Sequence, residues 1–129
     1  MRKTILLLLM ICMMIPFASC TDQDSKNSYE QINQSEAKTI MDTEKGYIIL
    51  DVRTEEEYAE GHIEGAILIP NDEIKEKAGS ILADKNQLIL VYCRSGRRSK
   101  LAAEELVKLG YTNVKEFGGI IDWTYGTVK

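Results

Sequence analysis

Cysteine, histidine and proline are scarce in this sequence, at 3, 1 and 2 in 129 residues. Only one cysteine, Cys93, lies beyond residue 20. A chain that keeps a single thiol after that point forms no internal disulfide, and an unpaired cysteine of this kind suggests a reactive thiol. A long apolar run is also missing. The longest, residues 5–15, falls short of the ~20 residues a comfortable membrane span needs. A broad basic face is absent too: 16 basic residues stand against 20 acidic ones. The one concentrated cluster, Arg94, Arg97, Arg98 and Lys100, is too small for a nucleic-acid footprint, so no nucleic-acid partner is expected. Internal repeats and low-complexity segments are lacking, and the length suits one domain.

What is present begins with a processing segment. Met1-Arg2-Lys3 is a short basic start, the apolar run follows, Pro16 ends it, and the small residues Ala18 and Ser19 come next. These are the three parts of a secretory signal peptide. Phe17-Ala18-Ser19-Cys20 resembles the lipobox of bacterial lipoproteins. That resemblance implies cleavage before Cys20 and a lipid on its thiol, although the family usually has Leu where Phe17 stands. The division expected is residues 1–19 as lipoprotein signal, 20–28 as a lipid-anchored flexible linker and 29–129 as the folded domain. The protein would then be exported and anchored to a bacterial membrane through Cys20, on the outer face of the cytoplasmic membrane or in the periplasm. An ordinary secretory signal with a chance cysteine is the competing reading. Removing residues 1–19 takes away Arg2 and Lys3, leaving 14 basic against 20 acidic residues, net −6. The polar stretch Thr21-Asp22-Gln23-Asp24-Ser25-Lys26-Asn27-Ser28 fits a tether.

The remainder alternates short apolar runs with amphipathic segments. A short strand is expected at residues 29–32, then a helix capped by Ser35 with Ala37, Ile40 and Met41 inward, closed at Lys45-Gly46. Residues 47–52 read as a buried parallel strand. Thr54 with Glu57 three positions on is a capping-box pattern for a helix ended by Gly61. Residues 66–69 form a short strand stopped by Pro70. Asn71 is expected to cap a helix with Ile74, Ala78 and Leu82 inward. Residues 88–92 are the clearest buried strand, with Cys93 directly after it. Residues 99–109 read as a helix with a stripe of Leu101, Ala102, Leu106 and Leu109, stopped by Gly110. A last strand at 114–117 leads to Gly118-Gly119 and a final helical turn holding Trp123. Strands alternating with helices predict an α/β domain with a largely parallel sheet.

The segment Cys93-Arg94-Ser95-Gly96-Arg97-Arg98-Ser99 joins a buried strand to a helix. Ligands of open α/β sheets bind outside the carboxyl ends of the strands. Backbone N–H groups at a helix start, the helix dipole and three arginines make such a place suited to an anion. Gly96 lets the backbone turn with positive φ and approach closely. Thiols at helix N-termini or beside cations titrate at roughly 3.5–7.5 instead of about 8.5, so the placement favours a thiolate. Two plainer readings compete: a solvated basic face, and a cysteine that merely packs.

At this point the sequence resembles the rhodanese family over residues 29–123. Asp51-Val52-Arg53 with Glu57-Tyr58, Gly61-His62-Ile63-Glu64-Gly65-Ala66 with Ile69-Pro70, the run from Tyr92 to Ser99, and Gly118-Gly119 with Trp123 carry the resemblance. Glu64 stands where the family often has proline. The resemblance implies a three-layer α/β/α fold around a five-stranded, largely parallel sheet. It implies a sulfurtransferase of thiosulfate type, with Cys93 the nucleophile that becomes a persulfide. Arg94, Ser95, Gly96, Arg97, Arg98 and Ser99 would hold the substrate. The implied partners are a small sulfur donor such as thiosulfate and a thiol, cyanide or protein acceptor. No metal or organic cofactor is implied, and a monomer is expected.

Loop length separates this reading from phosphatases resembling the same family, whose Arg stands six positions after the Cys. Here that position is Ser99, and Arg98 comes one earlier. A persulfide carrier or redox-responsive binding module without efficient thiosulfate turnover is the alternative function. His62, Asp51 and Arg53 read as scaffold, with Arg53 expected to pair with Glu57, and Trp123 reads as a packing residue.

Overall fold

Period-two alternation along the apolar runs builds a sheet with two dry faces. The computed structural model describes residues 28–129. In chain order it has β1 (Glu30–Gln31), α1 (Gln34–Thr43), β2 (Ile48–Asp51), α2 (Glu55–Glu60), β3 (Ile67–Leu68), α3 (Ile74–Ile81), β4 (Ile89–Cys93), α4 (Arg97–Lys108) and β5 (Val114–Gly119). Short 3₁₀ turns cover Asn71–Glu73 and Ile120–Asp122. The five strands run in the order β1-β5-β4-β2-β3, every pairing parallel. The expected signal peptide, the linker as far as residue 27 and the Cys20 anchor lie outside the described residues.

Successive strand residues point to opposite faces. Leu50, Val52, Ile89, Val91, Cys93 and Val114 pack with Ile74, Ala78 and Leu82 around α3 and with Ala102, Ala103 and Leu106 of α4. Ile49, Leu90, Tyr92 and Phe117 pack on the other side with Ala37 of α1 and the partly buried Ile40, Met41 and Tyr58. Helices thus cover both faces, which gives the expected three layers. From β2 the chain moves outward to β3, and from β4 it moves the opposite way to β5. The carboxyl ends of β2 and β4 therefore flank the point where the winding reverses, the usual ligand position in such sheets.

The elements fall close to their expected places, with local corrections. Helix α1 starts two residues early because Asn33, not Ser35, is the cap. The Asn33 side chain accepts the Glu36 N–H at 2.8 Å, and Glu36 accepts the Asn33 N–H at 2.9 Å. Asn71 opens a 3₁₀ turn after Pro70 and caps nothing. Helix α4 starts at Arg97 rather than Ser99. Its inward stripe is Ser99, Ala102, Ala103 and Leu106, while Leu101 is 49 % exposed. The i, i+3, i+4, i+7 spacing of that stripe turns Leu101 outward, and its small residues let α4 lie close to the sheet.

Arg53 does not pair with Glu57. Its N–H folds back onto Asp51 Oδ1 at 2.9 Å, just past the end of β2. The guanidinium then meets the same carboxylate, with Nη2 2.7 Å from Oδ2. Tyr92 donates its hydroxyl to Asp51 Oδ2 at 2.7 Å and accepts the Ile63 N–H at 3.1 Å. Burial and then the Asp51 contact push the Tyr92 hydroxyl far above its ordinary titration range. This network fixes the carboxyl ends of β2 and β4 relative to each other. His62 is scaffold as expected: Nδ1 meets the Tyr58 carbonyl at 2.8 Å and the two rings stack at 3.7 Å. Trp123 packs against Phe117 at 5.6 Å between ring centroids.

Candidate active site

Cys93 is the last residue of β4, and its side chain points to the α4 face of the sheet. The sulfur is almost enclosed, with the residue 1 % exposed. Three residues later the chain turns at Gly96, whose φ of +105° suits glycine. That turn aims the Gly96 N–H at Cys93 Sγ, 3.0 Å away. Helix α4 begins at the next residue, so its positive end faces the same sulfur. An N–H donor and a helix dipole both favour negative charge on Sγ.

The loop is held from below by β5. Residues Val91 and Cys93 of β4 pair with Glu116 and Gly119 of β5, so three steps on one strand match two on the other. The extra residue is a bulge, a common device for re-aiming backbone beside a site. It brings Gly119 so close to the loop that a Cβ there would lie 2.0 Å from the Arg94 carbonyl oxygen. The Ile121 N–H donates to that carbonyl at 3.2 Å. Gly119 thus permits the strand and the loop to touch.

The arginines divide. Arg98, half-buried, donates from Nη1 and Nη2 to Glu57 Oε1 and Oε2 at 2.7 and 3.0 Å. This contact holds the Glu57 carboxyl below its ordinary range and raises the Arg98 guanidinium. Arg94 and Arg97 are both exposed and make no ion pair among the described residues. Ser95 is exposed at the loop surface. Of the expected site residues, the fold therefore gathers Cys93, Gly96 and Ser99 around the sulfur. It ties Arg98 to α2 and leaves Arg94, Ser95 and Arg97 at the surface.

One residue beneath the loop escaped the reading of the sequence. Ser99 Oγ lies 3.3 Å from Cys93 Sγ and donates to Glu116 Oε1 at 2.7 Å. The same oxygen accepts the Gly118 N–H at 2.7 Å. Glu116 is 2 % exposed. Its signal was available: it is the charged residue two positions from Val114, at an inward position of a strand. Among the described residues, no group of three or more His, Cys, Asp or Glu side chains is placed to hold a metal ion.

Known proteins share this arrangement of sequence and fold. Residues 33–125 match the model of the rhodanese-like domain. The thiosulfate sulfurtransferase PspE of Escherichia coli is 44 % identical over 80 residues, covering 62 % of this chain and 77 % of that protein. The putative sulfur carrier protein YrkF of Bacillus subtilis is 35 % identical over 102 residues, covering 78 % of this chain and 54 % of its own length. A solved structure of an E. coli rhodanese with anions superposes with a TM-score of 0.61 at 42 % identity, covering 64 % of this chain and 98 % of that one. Because that family model matches well over half of the sequence, the chain belongs to the rhodanese-like domain family.

Proposed function

We propose that the protein is a sulfurtransferase that carries sulfane sulfur on Cys93 and accepts it from thiosulfate. The observation that carries this reading is the Gly96 N–H, 3.0 Å from a nearly enclosed Cys93 Sγ at the start of α4. In the first half-reaction the Cys93 thiolate attacks the outer sulfur of thiosulfate. The sulfur–sulfur bond of the donor breaks and sulfite leaves with the electron pair. In the second, a thiolate or cyanide attacks the outer sulfur of the persulfide, and Cys93 departs as thiolate. The enclosure of Sγ suits transfer of a single atom. The sulfurtransferase name of the E. coli relative supports the same chemistry.

Mass spectrometry tests this directly. Protein mixed with thiosulfate gains one sulfur atom, about 32 Da, on the peptide holding Cys93, and cyanide removes it. No gain with any sulfane donor overturns the reading. The B. subtilis relative is named for sulfur carriage, which favours a second reading in which Cys93 holds sulfur without fast turnover on thiosulfate. Steady-state cyanide–thiosulfate kinetics separate the two. The N-terminal pattern supports export and attachment to a membrane through lipid on Cys20.

A further inference from the structure

Three elements bring Cys93, Ser99 and Glu116 together below the loop. Ser99 Oγ stands between Sγ at 3.3 Å and Glu116 Oε1 at 2.7 Å. Glu116 is buried and has no ion pair among the described residues. A buried carboxylate without a cation is costly to keep.

A hydroxyl has one proton. Ser99 gives it to Glu116 at 2.7 Å, a shorter contact than the Gly96 and Gly118 carbonyls at 3.0 and 3.4 Å, and so turns lone pairs toward Cys93. Oγ in that state accepts an S–H and offers nothing to a thiolate. The carboxylate itself, one side chain farther, repels negative charge on Sγ. In the persulfide the charge sits on the outer sulfur, one bond farther from Glu116, while Sγ is neutral. We propose that Glu116 is a positioning residue that, through Ser99, disfavours charge on Cys93 Sγ and biases the site toward the sulfur-loaded state. Discharge is then the step it slows: the acceptor's electron pair forms the new bond to the outer sulfur, the persulfide bond breaks, and its electron pair must settle on Sγ. A less stable thiolate is a poorer leaving group.

The other charged groups around the pair are fixed by the same packing. Arg98 on α4 lies in the field of Cys93 and is bound to Glu57 of α2. Arg94 and Arg97 are exposed on the loop and the start of α4. Before β1, the Tyr29 hydroxyl is raised first by burial, then by Glu104 of α4 and by Glu116. Lys115, next to Glu116, pairs with Glu30 of β1. From α1 the neighbour is the uncharged Gln34 amide, which donates to Phe117 and Gly119 carbonyls. Tyr92 of β4 faces the other side, toward Asp51.

The test compares wild type with Glu116→Gln, which keeps an oxygen for Ser99 and Gly118 but loses the charge. The pair Glu116→Asp and Glu116→Asn repeats the comparison at a shorter length, should the first variant fail to fold. Iodoacetamide alkylation of the full chain is followed across pH on the Cys93 peptide by mass spectrometry. Within each pair the uncharged member alkylates about tenfold faster on the acidic limb, the effect of removing one nearby like charge. Its persulfide discharges to cyanide about threefold faster. Superimposable alkylation curves, or a shift to higher pH, overturn the proposal. The inference rests on Cys93 as the sulfur-bearing residue, but alkylation needs no donor. A shifted curve without any persulfide therefore condemns the sulfurtransferase reading, and a persulfide with an unshifted curve condemns only the role of Glu116.

Discussion

Glu57 and Arg98 face each other in two hydrogen bonds, at 2.7 and 3.0 Å, and so join α2 to the first turn of α4. Glu57 serves twice, because it is also the capping-box partner of Thr54. Its carboxyl is held below the ordinary 4.5 by Arg98. A carboxylate whose folded value is depressed adds stability above its unfolded value and loses it as pH falls through the folded one. Arg98→Ala is therefore expected to cost about 0.5–1 kcal/mol at pH 7, as befits a partly exposed pair. Urea unfolding from pH 7 to 3 checks it: the gap between wild type and variant stays level above about pH 5 and closes below 4.5. A gap unchanged at pH 3 contradicts the pairing.

Gly119→Ala and Gly79→Ala are the same substitution with opposite expected signs. At Gly119 the new Cβ meets the Arg94 carbonyl oxygen at 2.0 Å, a backbone atom that no side-chain rotation can move away. Either the loop or β5 must move, at a cost of about 3 kcal/mol or more, and persulfide formation is lost with the loop. At Gly79, inside α3, a Cβ has nothing within 4 Å. There the gain in helix propensity is about 0.5–1 kcal/mol. Thermal unfolding of both variants, with thiosulfate loading of Gly119→Ala, measures the contrast.

The layered sheet was legible because the central strands β2 and β4 read as apolar runs and because α2 and α4 are each followed by a stop glycine, Gly61 and Gly110. Cys93 at a strand end was legible for the same reason. Long-range polar choices were not. Asp51 and Glu57 are both within side-chain reach of Arg53 in sequence terms, and only the fold decides which of them pairs with it. Arg53 turns back to Asp51 because its own N–H bonds that carboxylate. Arg98, brought from 41 residues away by the packing of α4, is then left for Glu57. Glu116 shares the inward parity of Val114, but Lys115 beside it makes the pair read as an exposed stretch, and only the bulge opposite Val91 and Cys93 shows it lying under the loop.

Cys20→Ser tests the proposed lipid anchor. A lipobox cysteine gives up its thiol to diacylglycerol, and acyl chains contribute about 0.8 kcal/mol per buried methylene. Wild-type protein expressed with its full N-terminus is expected in the detergent phase of a phase-partition assay, and the variant in the aqueous phase or unprocessed. Equal partition of the two into detergent contradicts lipid attachment at Cys20.

Loop length makes a further claim. Ser99 stands where the phosphatases resembling this family have arginine, and its hydroxyl is held by Glu116 at 2.7 Å. One residue inserted between Gly96 and Arg97 pushes α4 out of step with β5 and breaks that bond. Sulfur transfer is expected to fall, while aryl phosphate hydrolysis becomes measurable if the wider ring admits a phosphoryl group. Wild type is expected to hydrolyse aryl phosphates negligibly, and a phosphatase rate above its sulfur-transfer rate contradicts the assignment.

The arginines are expected to act in two different ways, and kinetics can tell them apart. Cys93→Ala removes the nucleophile and is expected to abolish persulfide formation, while the small side chain leaves the core largely intact. Arg94 and Arg97 have no ion partner among the described residues, so their charge is available to a dianionic donor. A charge-assisted contact is worth roughly 1.5–3 kcal/mol, or about ten- to hundredfold in kcat/KM. The double variant Arg94→Ala, Arg97→Ala is expected to lose that much with thiosulfate, mostly through KM, and to lose the salt dependence of the reaction with it. Arg98 is already spent on Glu57, so Arg98→Ala is expected to lower kcat by loosening the loop, with KM and salt dependence little changed. If instead Arg98→Ala raises KM and abolishes the salt dependence, the guanidinium leaves Glu57 when the donor arrives, and the ion pair is a resting arrangement of the site.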